Sequence, residues 1–125
     1  MLRRKIFTCN IKEIENRKGK YCLYGKEIGA VELMGVCIDH GEKFIRILDF
    51  YSEIVLYKSP QTSIPSHRCI FRCKIFIKDN KLALYCINVK RADLYEELFF
   101  IVEANKLNEV EKITYNEKKC VKSDI

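Results

Sequence analysis

Long hydrophobic runs are missing from this chain of 125 residues. The stretch Leu98 to Val102 falls far short of the roughly 20 apolar residues that span a bilayer as a helix, so no transmembrane helix is expected. The start, Met1-Leu2-Arg3-Arg4-Lys5, is basic, but no apolar run follows it, so a secretory signal is not expected. Glu13 and Glu15 argue against a mitochondrial presequence. Internal repeats and low-complexity tracts are absent, and the two prolines, Pro60 and Pro65, share one loop. There is no Gly-rich phosphate loop, no Ser-His-Asp order and no His-Glu-x-x-His. The two histidines, His40 and His67, fall in predicted loops. A nucleophile such as Cys69 beside His67 has no supporting signature, so the chain does not read as an enzyme.

What is present is a foldable composition, with 48% hydrophobic and 32% charged residues. The length fits one domain with one core. The net charge of +6 suits a polyanionic partner. The seven cysteines are an odd count with no Cys-x-x-Cys pair, which fits a disulfide framework poorly and favours a reducing compartment. His67, Cys69, Cys73 and Cys86 are residue types that ligate zinc, but their spacing matches no common zinc module. No metal or other cofactor is therefore expected.

Along the chain, residues 1–20 are polar and basic and read as an arm, with Ile6, Phe7, Ile11 and Ile14 spaced to touch a body. Tyr21 to Tyr24 reads as a short strand closed by Gly25. Ala30 to Asp39 is a long β-branched strand whose central Gly35 marks a bend or bulge. Lys43 to Asp49 pairs with it as a hairpin, Phe50-Tyr51 turns the chain, and Ser52 to Lys58 is a third strand. Ser59 to Arg68 is an exposed loop. Ile70 to Lys78 and Lys81 to Val89 are a fourth and fifth strand around a tight Asp79-Asn80 turn. The apolar period then becomes helical over Asp93 to about Leu107, with Asp93 and Glu96 in capping-box spacing. Residues 111–125 read as a polar, fraying tail. The fold class is thus all-β with a C-terminal helix, a five-stranded OB-fold barrel over residues 21–110. An SH3-like barrel is the alternative and would not account for the helix.

The stretch from Tyr21 to Val36, ending in the apolar-Gly-apolar triplet Met34-Gly35-Val36, resembles the entry to the OB domain of the middle (32-kDa-type) subunit of replication protein A. Ile47 to Ile54 resembles that family's strand-Asp-turn-strand segment, with Phe50 and Tyr51 where the family carries small polar turn residues. Arg91 to Leu107 is similar to its C-terminal helix. The chain has no room for that family's Ser/Gly-rich tail or winged helix. This leaves related small OB subunits open, of the Stn1 telomere-capping type or of the RecQ helicase–topoisomerase III complex. The resemblance implies a nuclear subunit of a hetero-oligomer acting in DNA replication, repair or recombination, docked to larger OB-fold subunits through its helix.

The fourth strand carries the clearest surface signal. Arg72, Lys74, Phe76 and Lys78 alternate with apolar residues and form an outward basic ladder with one aromatic. Cations track phosphates and a ring stacks on a base, which suits single-stranded DNA. Lys43, Arg46, Tyr51, Tyr57 and Lys58 of the neighbouring hairpin extend this candidate surface. On the helix, Leu94, Leu98, Phe99, Phe100, Ile101 and Val102 are the candidate partner interface, and Phe100 is expected to face outward. The alternative function is a protein–protein OB scaffold without direct DNA contact.

Overall fold

The computed structural model describes residues 3–123. In chain order these form β1 (Arg3–Lys5), α1 (Thr8–Ile11), β2 (Glu15–Arg17), β3 (Lys20–Leu23), β4 (Lys26–Ile28), β5 (Ala30–His40), β6 (Phe44–Leu48), β7 (Glu53–Lys58), β8 (Arg68–Lys78), β9 (Lys81–Arg91) and α2 (Leu94–Ser123).

Five strands close on themselves. β5 pairs with β6, β6 with β7, β9 with β8 and β8 with β5, all antiparallel, while β7 meets β9 in parallel. Within the ring β5 serves two neighbours, because residues 30–36 pair with β8 and Val36 to His40 pair with β6. Gly35 sits where one partner gives way to the other. A Cβ built there would lie 2.7 Å from the Leu48 carbonyl oxygen, so only glycine lets β6 come this close. The glycine thus marks a close approach of β6, while the register irregularity of β5 falls further on, between Cys37 and Asp39.

The core follows from alternation. Val31 and Leu33 of β5, Ile45 and Ile47 of β6, Leu56 of β7, Phe71, Cys73 and Ile75 of β8, and Leu84 and Cys86 of β9 are all buried in one cluster. Each large aliphatic or aromatic side chain so buried contributes about 1.5–3 kcal/mol relative to exposure. Between β8 and β9, Asp79 and Asn80 both have positive φ (52° and 63°), the left-handed pair that suits a two-residue hairpin. That turn fixes the register, with Lys78 opposite Lys81, Phe76 opposite Ala83 and Lys74 opposite Tyr85.

The segment expected to be an arm is part of the body. β1 lies parallel to β5, and β2, β3 and β4 form a small antiparallel sheet of their own. Ile6, Phe7, Ile14, Leu23 and Ile28 are buried. The two hairpins of this sheet turn on Lys18-Gly19 and Tyr24-Gly25, whose four residues all have positive φ. α1 is anchored through Thr8, whose backbone N–H and hydroxyl both donate to the Asp49 carboxylate at 2.7 Å. The same carboxylate accepts from the Tyr51 and Ser52 amides (2.8 and 3.2 Å), which sets the turn between β6 and β7.

The terminal helix is longer than its apolar period predicts. It starts as expected, with the Asp93 side chain accepting from the Glu96 amide at 2.8 Å. It does not end near Leu107 but continues to Ser123, so the described part of the predicted fraying tail is helical. Polar contacts with the N-terminal segment hold it. Arg4, nearly buried, donates to Asn108 from Nε and Nη2 (2.8 and 2.6 Å) and pairs with Glu111 at 2.5 Å. Lys26 pairs with Glu111 (3.1 Å) and Lys112 with Glu13 (3.0 Å). Tyr115 donates to Glu15 (3.2 Å) and accepts from Arg17 (3.0 Å).

The helix also presents the opposite face from the one expected for Phe100. Phe100 is 1% exposed and packs with Phe7, Met34, Ile70 and Ala104. The series Phe100, Ala104, Asn108, Glu111, Tyr115 recurs every three or four residues and faces the body. Small Ala104 and hydrogen-bonded Asn108 permit the close approach, and the Phe100 ring meets Phe7 edge-on at 6.3 Å.

Candidate nucleic-acid interface

The outward face of β8 is as predicted in direction but divided in chemistry. Lys74 and Lys78 are exposed, Phe76 is half-buried, and Ile70 of the same face is covered by α2. Arg72 is different. Its Nε lies 4.0 Å from the Glu32 carboxylate, opposite it on β5, in a half-buried position without a hydrogen bond. Arg68 faces Glu97 and Lys90 faces Glu96, each at 2.5 Å. The Glu96 carboxylate holds the Lys90 ammonium above the ordinary lysine range. At the α2 end of the β8–β9 sheet, then, cations are matched by carboxylates. Among the described residues, Lys74, Lys78, Lys81, Lys43 and Arg46 have no carboxylate at ion-pair distance.

Those five cations surround one cluster of rings. Tyr57 of β7 meets Phe76 of β8 edge-on at 5.7 Å, and the Lys78 ammonium lies 4.3 Å from the Tyr57 ring centre. Register places the neighbours: Phe44 lies opposite Tyr57, Tyr57 lies beside Tyr85, and Tyr85 lies opposite Lys74. Arg46 is one step along β6, opposite Val55 on one side and Asp39 on the other. Lys43 stands in the turn before β6. Between β7 and the end of the β8–β9 hairpin runs a groove of about 320 Å³, whose lining includes Tyr57, Lys78, Asp79 and Lys81 together with aliphatic side chains of α1, β7 and β9. A polyanion lying along this face meets cations from the turn before β6, from β6 itself and from the β8–β9 hairpin, and rings from four strands.

Lys58 does not belong to this surface. It is 6% exposed, and its ammonium donates to the carbonyls of Glu42 (2.8 Å) and Ser59 (3.4 Å). Alternation explains the correction, because Lys58 follows outward Tyr57 and shares the inward side with Leu56. Phe44, Lys81 and Tyr85 belong to the surface and were not predicted. The two-residue turn was the available signal for Tyr85, since it fixes Lys74 and Tyr85 as partners.

Of the six predicted partner residues on α2, Leu94, Leu98, Phe99 and Val102 are exposed, Ile101 is half-buried, and Phe100 is buried. Tyr95 adds to the start of this exposed stripe, and Val110 and Ile113 extend it past the predicted end of the helix. By helical spacing it lies on the side away from the barrel.

The cysteines weighed as zinc ligands are core residues. Cys69, Cys73 and Cys86 are fully buried, while His67 is exposed. Cys73 and Cys86 are direct cross-strand partners. Cys73 donates a hydrogen bond to Cys86, which together with burial holds the Cys73 thiol well above its ordinary range. Among the described residues no three His, Cys, Asp or Glu side chains gather as a metal site.

A closed five-stranded barrel, sealed by a parallel contact between its third and fifth strands and followed directly by a helix, defines an OB-fold protein. Solved structures agree. A chain of a replication protein A heterotrimer bound to ssDNA superimposes with a TM-score of 0.73 at 15% identity, over 89% of this chain and 98% of that one. A chain of the S. pombe Stn1-ten1 complex gives 0.74 at 11% identity, over 92% and 97%. A chain of yeast RPA bound to ssDNA gives 0.65 at 18% identity, over 81% and 85%. The chain belongs to the ECU03_1140 family, whose pattern residues 31–107 match. It is 31% identical over 103 residues to "Uncharacterized protein ECU03_1140" of Encephalitozoon cuniculi (strain GB-M1), covering 82% of this chain and 88% of that protein.

Proposed function

We propose that this protein is a nuclear, non-enzymatic, single-stranded-DNA-binding subunit of a replication protein A-like complex. The barrel face of β6 and β7 contacts the strand and α2 docks to other OB-fold subunits. The observation that carries this reading is the grouping of unneutralised cations, Lys43, Arg46, Lys74, Lys78 and Lys81, around Tyr57 and Phe76. OB-folds bind oligonucleotides on the face of their second and third strands, between the loop joining strands one and two and the loop joining four and five. Here those parts are β6, β7, the turn carrying Lys43 and the hairpin end carrying Lys78 and Lys81. The solved structures of this fold include chains from complexes bound to ssDNA, which supports the choice of ligand.

Fluorescence anisotropy with a labelled oligothymidylate tests the reading. Binding is expected to weaken with salt, and Arg46→Glu with Lys78→Glu should reduce both the affinity and its salt slope. Arg72→Glu should have a smaller effect, because Glu32 already faces that guanidinium. Unchanged binding in the Arg46/Lys78 variant refutes the assignment.

A second reading is a scaffold subunit, of the RecQ–topoisomerase III or telomere-capping type, that touches no DNA. The exposed stripe from Leu94 to Ile113 favours it, because a helix apolar on two sides has two contacts to make. A complete absence of oligonucleotide binding, with stable capture of partner subunits, would select it.

A further inference from the structure

Tyr85 is the one exposed ring of the candidate face that nothing occupies. Tyr57 is covered by the Lys78 ammonium and touched edge-on by Phe76. Tyr85, 38% exposed in the middle of β9, has no ring or cation contact among the described residues. Ile87, two positions along, is 40% exposed. An exposed tyrosine beside an exposed isoleucine is an apolar platform in the middle of β9.

Charge sets the limits of this platform. On one side Tyr85 adjoins Tyr57, and on the other it lies opposite Lys74, which faces no carboxylate at ion-pair distance among the described residues. One step further along β8, Arg72 meets Glu32, and beyond it the carboxylates of Glu96 and Glu97 hold Lys90 and Arg68. Cations therefore stand at the two ends of a row across β6, β7, β9 and β8, Lys43 and Arg46 at one and Lys74 at the other, with the Tyr57 and Tyr85 rings between them. Neighbouring strands are about 4.8 Å apart, so this row is some 15 Å long.

We infer that, given the single-strand-binding reading above, the strand does not end at the β6–β7 face but continues over the outer face of β9 and β8, where Tyr85 stacks one base and Lys74 holds the adjoining phosphate. The row is read across the strands, so the nucleic acid crosses the sheet rather than following the hairpin. The charge-matched border, where Glu32, Glu96 and Glu97 face Arg72, Lys90 and Arg68, offers the strand no unpaired cation toward the helix and leaves the exposed α2 stripe free for protein. Stacking on Tyr85 adds affinity without reading sequence, since every base has a π-face.

Oligonucleotide length separates this subsite from the cradle. OB-fold sites occupy about 4–16 nucleotides, so an oligothymidylate of about 6 and one of about 16 bracket the range. The wild-type chain is expected to bind the longer one more tightly. Tyr85→Leu combined with Lys74→Gln should weaken the longer oligonucleotide at least about fivefold, the loss expected for one stacked base, and weaken the shorter one, held also by Lys43, Arg46, Lys78 and Lys81, by a clearly smaller factor. Tyr85→Phe, which keeps the ring, should bind as wild type. Should Tyr85→Leu lower the melting temperature, Lys74→Gln alone, at an exposed position, still reports: its salt slope on the longer oligonucleotide should fall by about one. Equal weakening of both lengths, or none of either, overturns the subsite while the cradle stands. Failure of the wild-type protein to bind any oligonucleotide overturns the cradle itself.

Discussion

Replacing Phe100 by alanine tests the orientation of α2 directly. The ring is 1% exposed, seated among Phe7, Met34, Ile70, Ala92 and Ala104. Truncating a fully buried phenylalanine typically costs about 3–5 kcal/mol, the sum of lost transfer energy and the cavity left behind. The neighbours here are a helix and a β-sheet tied together by Arg4 and Asn108, so little collapse into the space is expected and the upper half of that range applies. For a domain of this size each kcal/mol shifts the melting temperature by about 3–5 °C, so the variant should melt about 12–25 °C below wild type. Phe99→Ala, at a position 67% exposed, should change the isolated chain by no more than about 0.5 kcal/mol. Thermal denaturation followed by circular dichroism reads both. A wild-type melt for Phe100→Ala together with a large loss for Phe99→Ala would mean that the helix is rotated by one residue, and the partner stripe would have to be redrawn.

Gly35→Ala should destabilise by about 1–3 kcal/mol, because the new methyl meets a main-chain carbonyl that cannot swing aside; chemical denaturation measures it. Asn108→Ala should cost about 1.5–3 kcal/mol in the same assay, since it strips a nearly buried guanidinium of two hydrogen bonds. Timed alkylation read by mass spectrometry should label half-buried Cys9, Cys22 and Cys37 before Cys69, Cys73 and Cys86. Burial pushes the Cys9, Cys37 and Cys69 thiols up, so labelling should accelerate as pH rises into the alkaline range. Early labelling of Cys73 would contradict its place in the core.

What the sequence could express was whatever local spacing encodes. Alternation placed Phe71, Cys73 and Ile75 inward and Lys74 and Lys78 outward, and Asp79-Asn80 located its turn. Phe100 was misassigned because α2 is apolar on both sides, and a period does not say which stripe faces the barrel. The signal was the small residue Ala104 one turn on. The helix end was missed for a different reason. Glu111, Lys112 and Tyr115 look like a solvated tail until Arg4, Glu13, Glu15 and Lys26 are brought beside them, and those partners lie about a hundred residues away in the chain. The same separation hid the role of residues 3–28, whose polar composition conceals a few well-placed apolar residues such as Ile6 and Phe7. Arg72 was assigned from alternation and charge and Lys58 from its place on the hairpin, and neither signal reveals that a carboxylate or a carbonyl pair already faces the cation.

The parallel contact that closes the barrel consists of two registered pairs, Tyr57 with Tyr85 and Lys58 with Cys86. This is the shortest seam in the ring, and the buried Lys58 ammonium, held by the Glu42 and Ser59 carbonyls, ties the end of β7 to the β5–β6 turn rather than to β9. Local opening follows the sparsest hydrogen bonding, so amide exchange should be fastest along this junction. The proposed strand path crosses it from Tyr57 to Tyr85. A bound strand would therefore bridge the joint at which the barrel most readily parts, and its affinity would be coupled to how firmly that joint is shut.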